Sequence, residues 1–393
     1  MGDAEIEEVV ETLRSGWLTT GPRTRRFEAA FAEAVGGAHA VAVNSCTAAL
    51  HLAVEALGLT AGDGVLVPAH TFAATAEVVR YQGAHPILVD CHGDSLQIDL
   101  EDAASKLVDL RAGRLPLAAD TPVKGIMPVH FAGAMIDPRE IDAFARAHDL
   151  WVVEDAAHAF PASYQVDDGR WLRCGEDTAR VSCFSFYANK TITTGEGGMA
   201  VTADEALASR MRIMALHGLS KDAWKRFGAG AGRSWNYEIV APGYKYNLTD
   251  IASALGLRQL ERAHEMRDRR AEIAARYLEA FADDAGFEVP VTDPRGRDAW
   301  HLFVIRLKLD RLTLGRDEVF DALGEGGVAC SVHYRPLHLH PYYRDLGWRP
   351  EHCPVATQTF DRIVTLPLFS AQTDAEVEHV TKTVKEVIRT HGR

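Results

Sequence analysis

Between about residue 38 and residue 201, short runs rich in valine, isoleucine and alanine alternate with longer segments whose apolar residues recur at helical spacing. This alternation is typical of strand–helix–strand units, which build a mainly parallel sheet covered by helices. The predicted strands are residues 40–43, 64–67, 85–89, 125–129, 151–154, 181–186 and 199–202. The pattern therefore predicts an α/β protein with one wide, seven-stranded, mainly parallel sheet.

The pattern changes from residue 247 onward. Thr249 and Asp250 can cap a long helix that runs through the charged stretch 261–279, and we expect this helix to bridge two domains. Beyond it we predict a strand at 300–307, a helix at 316–323, a strand at 328–332 and a closing helix near 374–389. The chain divides accordingly into an N-terminal arm (1–25), a large α/β domain (26–250), and the bridging helix with a small C-terminal α+β domain (251–393).

Composition narrows the range of partners and compartments. The 393 residues carry a net charge of −13 without basic runs, which argues against binding to nucleic acid. The N-terminus lacks the cationic and apolar blocks of a signal peptide, and no apolar stretch is long enough to cross a bilayer. The six cysteines show no Cys-x-x-Cys spacing and suit buried, reduced thiols. We expect a cytoplasmic protein that binds neither nucleic acid nor membrane.

Lys190 stands where an apolar, strand-like segment stops and a glycine turn leads into the next strand. A lysine placed there can be buried, and burial disfavours the ammonium in favour of the neutral amine that attacks carbonyl carbons. Such a lysine can form a Schiff base. Taken alone, it is better explained as a surface lysine at the end of a strand.

Asp155 follows the apolar run 150–154, which places its carboxylate at the end of a parallel strand, the edge where open α/β sheets bind ligands. A carboxylate beneath a pyridine ring keeps the ring nitrogen protonated, so that the ring can accept electrons. His158, three residues on, could hydrogen-bond a phenolic oxygen of the same ring. Alone, Asp155 is equally well explained as a helix cap and His158 as a packed side chain.

The segment 43–50 turns a strand directly into the start of a helix, where free N–H groups and the hydroxyl of Thr47 can bind an anion such as phosphate. Simple N-capping by Ser45 or Thr47 explains it equally well. Phe72 could lie flat against a heterocycle or belong to the core, and Ser185 could donate to the phosphate. A phosphate cradle, an aromatic plate, a carboxylate and a lysine at one sheet edge are the set that pyridoxal phosphate requires.

Several segments, in order along nearly the whole chain, carry a family resemblance: residues 16–22, 44–50, 128–133, 154–159, 184–190, 195–198, 217–218, 243–250 and 333–338. On these segments the chain resembles the sugar-nucleotide aminotransferases of the DegT-like family, within the fold-type-I pyridoxal-phosphate enzymes. The resemblance implies that Lys190 forms the imine with the cofactor aldehyde, that Asp155 pairs with the pyridinium nitrogen and that His158 approaches the ring oxygen. These three are the predicted catalytic residues.

The resemblance also implies the remaining contacts to the cofactor. Phe72 would stack on the ring, and the backbone groups of Cys46 and Thr47, together with Ser185, would bind the phosphate. Lys245 would complete the site of the neighbouring subunit in a homodimer. Lys245 is a rival Schiff-base lysine in principle, but the segment that carries it lies far along the chain from Thr47 and Asp155, so we favour Lys190.

The implied reaction is amino transfer to a sugar. Relatives that deoxygenate sugars carry histidine at the position of Lys190, and a subgroup acting on nucleotide-linked 4-ketosugars has lysine at the position of Lys245. Many other members have asparagine and arginine where Lys245 and Asn247 stand, and glycine is usual at Cys46. We expect ping-pong transfer from an amino acid, by resemblance L-glutamate, through pyridoxamine phosphate to a UDP- or dTDP-4-keto sugar. The alternatives are a keto-cyclitol aminotransferase of the scyllo-inosose type and a non-catalytic regulatory descendant.

Further candidates lie near the substrate. By resemblance His333 and Tyr334 flank the sugar or cofactor entrance, and Thr19 lies in the substrate region with Trp17, which either stacks on the nucleotide base or packs across the dimer interface. Charged residues that could meet a nucleotide diphosphate are Arg23, Lys221, Lys225 and Arg226. The histidines 333, 338, 340 and 352 could suggest a metal, but their proline- and tyrosine-rich context favours a substrate-facing loop, and we predict no metal site.

Overall fold

The computed structural model describes residues 1–220 and 238–393. The strands before residue 221 are β1 (His39–Val43), β2 (Gly64–Pro68), β3 (His85–Val89), β4 (Val123–Ile126), β5 (Trp151–Asp155), β6 (Ser163–Gln165), β7 (Trp171–Arg173), β8 (Val181–Ser185) and β9 (Gly198–Thr202). Seven of them form one sheet in the order β1-β9-β8-β5-β4-β2-β3. The pairs from β3 to β8 are parallel, and β9 is antiparallel to both of its neighbours. The predicted seven-stranded, mainly parallel sheet is confirmed.

The sheet is buried on both faces, as its apolar strands require. Along β1, Val41 and Val43 join the core on one face, whereas Ala40 and Ala42 join the core on the other. The helices of this part are α1 (Asp3–Ser15), α2 (Pro22–Val35), α3 (Cys46–Ala56), α4 (Ala74–Tyr81), α5 (Leu100–Arg111), α6 (Pro138–Ala147) and α7 (Glu205–Met214). Residues of α3 to α7 pack on the first face and residues of α2 on the second.

The C-terminal part is built on a second, smaller sheet. Its helices are α8 (Asp250–Glu261), α9 (Ala263–Phe281), α10 (Arg316–Glu325), α11 (Pro341–Asp345), α12 (Pro354–Phe360) and α13 (Asp374–His391). Its strands are β10 (Phe287–Glu288), β11 (Gly296–Arg297), β12 (Phe303–Leu307) and β13 (Ile363–Leu366). Strands β10, β12 and β13 pair antiparallel beneath α9, α10 and α13, and β11 adds to the β6–β7 hairpin. Short 3-10 turns lie at Leu309–Arg311, Leu337–Leu339 and Pro350–His352 in this part, and at Phe131–Gly133 between β4 and α6.

Two predicted elements of this part are wrong in detail. The single helix predicted from residue 249 onward is two helices, because Arg262 leaves the helical conformation with φ −110° and ψ 5°. The break keeps α8 against α1 and α2 while α9 runs on to the core of the second sheet. The strand predicted at 328–332 does not form, because only Ser331 pairs, with Thr365.

The chain after the second sheet returns to the first. Leu337 N donates to Ala69 O at 2.8 Å, and the buried side chains of Leu337, Tyr343 and Trp348 belong to the core of the main sheet. This return holds the preceding residues His333 and Tyr334 against the edge of the main sheet.

Two further observations bear on the environment of the protein. Each of the six cysteines is a free thiol, and five of them are buried. Within residues 1–220 and 238–393, none of the helices combines the length and the apolar character needed to cross a membrane.

Candidate active site

A cavity of about 390 Å³ opens at the edge of the main sheet where β1, β2, β5 and β8 end. Because β1 and β8 are both antiparallel to β9, they run in the same direction, so the residues that follow these strands meet at one edge. The predicted site residues that line the cavity are Cys46, Thr47, Phe72, Asp155, His158, Ser185, Lys190, His333 and Tyr334. The order of the strands and the return of the chain near Leu337 bring these residues together from segments far apart in the sequence.

Lys190 is partly buried, with its amine held inside the cavity. Nζ lies 3.2 Å from Nε2 of His301, which also lines the cavity. Burial lowers the pKa of Lys190 to about 8, against the opposing attraction of Asp155. About a tenth of the amine is therefore neutral at pH 7, far more than for an ordinary lysine, which favours nucleophilic attack.

Asp155 is the last residue of β5 and is 5% exposed. Thr75 Oγ1 donates to its Oδ2 at 2.7 Å, and the backbone N–H of Ala157 donates to its Oδ1 at 3.1 Å. Burial raises the pKa of Asp155, and these two hydrogen bonds oppose the increase. Residues 156–162, which follow Asp155 directly, form no α-helix, so the alternative explanation of Asp155 as a helix cap is wrong.

The rings of His158 and His301 pack against each other beside the lysine, with centroids 4.3 Å apart and planes tilted by 42°. Nε2 of His158 lies 3.1 Å from the hydroxyl of Tyr334. Burial holds the pKa of both histidines well below the usual range, so both rings are neutral at neutral pH. Nδ1 of each ring is buried without a partner among the residues described. Because buried polar atoms normally have partners, these two atoms fit a site that holds a polar ligand.

The start of α3 forms the base of the cavity next to β9. Ser45 caps the helix by accepting from Ala48 N at 3.1 Å, so the capping alternative holds for Ser45. The N–H groups of Cys46 and Thr47 belong to the first turn, where a helix provides no acceptors. A Cβ on Gly198 would lie 2.4 Å from Ser45 O and 2.6 Å from Cys46 N, so only glycine permits this close approach. The observed donors and helix terminus fit a phosphate.

Phe72 stands at the mouth of the cavity and is 61% exposed, so its alternative explanation as a core residue is wrong. Its ring centroid lies 5.8 Å from that of Tyr334. An apolar ring left in solvent at a cavity mouth is available to cover a flat ligand. Together with the orphan imidazole atoms and the α3 cradle, the exposed ring shows that the residues present fit pyridoxal phosphate.

Three predicted residues do not line this cavity. Trp17 Nε1 donates to Thr20 O at 3.1 Å, and the carbonyl of the exposed Thr19 accepts from Asp250 N at 3.2 Å. Lys245 is exposed on the surface, and its carbonyl oxygen lies 3.4 Å from Asn44 Nδ2. Among the residues that the structure describes, Lys190 is therefore the lysine that lines this cavity.

Of the charged residues considered for a diphosphate, Arg23 lies within the described residues. Arg23 Nε donates to Glu8 Oε1 at 3.0 Å and does not line the cavity. Lys221, Lys225 and Arg226 lie outside the described residues.

Sequence reasoning missed two contributors to the site. His301 lies 111 residues after Lys190, just before β12, and no local motif indicates a role for it. Thr75 lies at the start of α4, three residues after Phe72, where a hydroxyl usually serves the helix itself. Its hydrogen bond to Asp155 depends on which strands are neighbours, which local sequence does not specify.

A buried histidine–glutamate pair lies directly behind Asp155. The Nδ1 atom of His130 accepts from Ile136 N at 3.2 Å, so Nε2 carries the proton and lies 3.5 Å from Glu154 Oε1. Glu154 Oε2 accepts from Ser182 Oγ at 2.6 Å and from Thr178 Oγ1 at 2.8 Å. Burial favours a high pKa for Glu154, but His130 and the two hydroxyls together lower it. The backbone N–H of His130 donates to Asp155 O at 3.2 Å, which links the pair to the site.

Metal-type ligand atoms come together at one place within the described ranges, where Cys174 joins His130 and Glu154 within 4.8 Å. The hydrogen bonds of Glu154 account for this cluster. The four histidines considered from the sequence have separate partners instead: His333 Nδ1 lies 3.0 Å from Thr365 Oγ1 and His338 Nε2 lies 2.7 Å from Thr357 Oγ1. His340 Nε2 lies 3.3 Å from Arg335 O, and His352 Nδ1 accepts from Arg349 N at 2.9 Å.

Comparison with known proteins agrees with this fold and site. The chain is 42% identical to the spore coat polysaccharide biosynthesis protein SpsC of Bacillus subtilis, over 99% of this chain and 95% of SpsC. The PMP-form structure of the putative sugar aminotransferase Spr1654 from Streptococcus pneumoniae superposes with a TM-score of 0.88 at 32% identity, covering 99% of this chain and 98% of Spr1654. Spr1654 has also been solved in a PLP form.

A third similar protein is the Helicobacter pylori aminotransferase PseC, which is involved in the biosynthesis of pseudoaminic acid. It superposes with a TM-score of 0.87 at 26% identity, covering 99% of this chain and 97% of PseC. The fold and its neighbours define a fold-type-I, pyridoxal-phosphate-dependent sugar aminotransferase. The chain belongs to the DegT/DnrJ/EryC1/StrS aminotransferase family, whose match covers residues 1–385.

Proposed function

We propose that this sugar aminotransferase moves an amino group from an amino acid, L-glutamate in the first instance, to a nucleotide-linked 4-ketosugar. The observation that carries the amino transfer is the buried amine of Lys190, which shares one cavity with the carboxylate of Asp155 and has a pKa lowered to about 8. The name of SpsC, a relative in polysaccharide biosynthesis, supports a sugar that is activated for polymer assembly. Sugars reach such pathways as nucleotide conjugates, which favours a UDP- or dTDP-linked acceptor.

Bound pyridoxal phosphate supplies an aldehyde that condenses with amines and a ring that accepts electrons when a neighbouring C–H bond breaks. Asp155 would hold the ring nitrogen in its protonated form, because its carboxylate is fixed by Thr75 and Ala157 N. His158 would direct Nδ1 to the ring oxygen, since its Nε2 already contacts Tyr334. The start of α3 and Ser185 would bind the phosphate, and Phe72 would cover the ring.

Lys190 then serves as the proton carrier of both half-reactions. Because its pKa of about 8 lies close to physiological pH, Nζ can both take a proton from a carbon acid and return it. The ring of His301 is neutral, so its Nε2 can accept a hydrogen bond from the ammonium and hold the proton-carrying atom in place. The exclusion of water by the aromatic side chains of the cavity protects these transfers.

We further propose that the enzyme acts in the cytoplasm as a homodimer. The free thiols suit a reducing compartment. Lys245 is exposed between Tyr244 and Tyr246, whose rings stack at 4.9 Å, so its amine is presented outward and suits the site of a partner subunit.

The test measures the two half-reactions separately by absorbance. L-Glutamate should convert the pyridoxal form to the pyridoxamine form, and a UDP- or dTDP-4-keto sugar should reverse the change, whereas Lys190→Ala should do neither. Reversal by scyllo-inosose alone would assign a keto-cyclitol acceptor instead. A protein that stays colourless with added cofactor would contradict catalysis altogether.

A further inference from the structure

A second cavity, of about 460 Å³, adjoins the first. Asn189, Lys190, His301 and His333 line both, so the amine of Lys190 stands at the boundary between them. The lining of the second cavity includes no aspartate or glutamate among the residues described, although the chain has 55 acidic residues and a net charge of −13. Burial keeps its histidines, His301 and His333, neutral, so its charged side chains are Lys190 and Arg270 and the cavity is electropositive.

Arg270, on α9, is 3% exposed and is only partly satisfied by the protein. Its Nη1 donates to the carbonyl oxygens of Leu368 at 3.0 Å, Trp300 at 3.2 Å and His301 at 3.4 Å. Its Nε is buried without an acceptor, and within residues 1–220 and 238–393 no acceptor is found for Nη2 and no carboxylate pairs with the guanidinium. Burial lowers the pKa of Arg270 to about 10, consistent with an uncompensated charge.

Stabilising the backbone explains only one of the three guanidinium nitrogens of Arg270. The three carbonyl contacts hold the backbone around His301, but they all use Nη1. Nε and Nη2 form the edge of a guanidinium that binds a carboxylate with two parallel hydrogen bonds. Leaving that edge and its charge buried without an anion is costly, whereas a carboxylate ligand would satisfy both.

The chemistry of the donor specifies where such a carboxylate must lie. An α-amino acid carries its carboxylate one carbon away from the nitrogen that is transferred, so a cation is needed close to the reacting amine. Arg270 and Lys190 both contact His301, the former at its carbonyl oxygen and the latter at its ring. The guanidinium and the reacting amine are therefore separated by a single residue, His301.

We propose that this second cavity, here called the donor cavity, binds the amino-acid donor and that Arg270 holds the donor's carboxylate through Nε and Nη2. The assignment rests on the proposed amino transfer. The diphosphate of a nucleotide sugar is the other anion that an electropositive cavity could bind, and the experiment distinguishes the two.

The probe is glutarate, a dicarboxylate without an amine, whose binding to the holoenzyme needs no chemistry and can be followed by calorimetry. Arg270→Met should weaken glutarate binding about 10- to 100-fold, the range expected for loss of charged hydrogen bonds. The matched control is Arg269→Met, because the guanidinium of Arg269 is held by Glu272 and Asp374, each at 2.7 Å, outside the donor cavity. Unchanged glutarate affinity in a folded Arg270→Met protein would overturn the proposal.

The half-reactions identify the source of the anion. Arg270→Met should raise the glutamate concentration needed for half-maximal conversion to the pyridoxamine form and leave that for the nucleotide ketosugar unchanged. The reverse pattern, with weakened UDP or dTDP binding and normal glutarate binding, would assign the cavity to the acceptor and contradict a donor site.

A second pair of variants keeps the test valid if Arg270→Met does not fold. Ala329 is exposed and lines the donor cavity, so Ala329→Asp adds a negative charge without disturbing the core, and Ala329→Asn is its neutral isostere. The aspartate variant alone should weaken glutarate binding several-fold, and equal affinities of the pair would contradict the proposal. Borohydride labelling of Lys190 in each protein tests the proposed amino transfer separately from the donor site. If Lys190 is labelled but glutarate binding is unaltered, only the donor site is contradicted.

Discussion

Lys190 and His301 are held with Nζ and Nε2 3.2 Å apart although 111 residues separate them in the sequence. Burial keeps the imidazole of His301 neutral, so it can accept a hydrogen bond from the lysine but cannot neutralise its charge. The lysine is therefore held in place in a setting that disfavours its ammonium. The folded protein bears an energetic cost at the residue that carries the chemistry.

That cost predicts that the cofactor-free protein is stabilised by Lys190→Met. The pKa falls from its ordinary value of 10.5 to about 8, which corresponds to about 3 kcal/mol of lost stability while the ammonium persists. The cost is fully present below pH 8 and fades as pH rises from about 8 towards 10.5, because the folded protein then binds fewer protons. Denaturant unfolding at pH 7 and pH 10 should show a large advantage of the variant at pH 7 and a small one at pH 10. An advantage that is constant with pH would contradict a strained ammonium.

Thr75 is predicted to set the pH range in which the carboxyl of Asp155 is ionised. Removing its 2.7 Å hydrogen bond by Thr75→Val should raise the pKa of the buried carboxyl further and destabilise the protein by about 1.5–3 kcal/mol. Because the carboxyl then protonates at a higher pH, the acid limb of the donor half-reaction should move to higher pH. Thr75→Ser keeps the hydroxyl and is the control. Coincident pH profiles of the two variants would contradict the assignment.

Phe72 is predicted to bind the cofactor without supporting the fold. Since the side chain is 61% exposed, Phe72→Ala should change the free energy of unfolding of the cofactor-free protein by no more than about 0.5 kcal/mol. Loss of its ring contact should weaken cofactor binding about three- to tenfold. Fluorescence titration with pyridoxal phosphate measures the affinity. A destabilised protein with unchanged affinity would show a structural role instead.

The sheet could be predicted from sequence because its strands are short apolar runs whose ends are marked by polar residues. Lys190 and Asp155 can be predicted for the same reason, since Asp155 ends one such strand and Lys190 lies in the turn that follows another. Residues that depend on the C-terminal part were harder to predict. His301 reaches the site because β12 and the return of the chain at Leu337 dock that part onto the main sheet, a relationship that local pattern does not contain.

The wrong elements have a similar cause. Residues 328–332 read Val-Ala-Cys-Ser-Val, a short and mostly apolar run of the kind that forms strands, yet only Ser331 pairs with β13. The chain leaves the sheet there and carries His333 and Tyr334 to the cavity. The helical pattern from residue 249 is continuous in sequence, but the break at Arg262 follows from the two different surfaces that α8 and α9 cover. Tertiary packing decides both cases.

Reductive trapping of the cofactor is the most direct measurement of the central claim, that Lys190 is the amine that binds pyridoxal phosphate. Borohydride treatment of the yellow holoenzyme followed by peptide mapping should place one stable label on Lys190, and Lys190→Arg should prevent the labelling. A label on Lys245 or on any other lysine, or no label at all, would contradict the account.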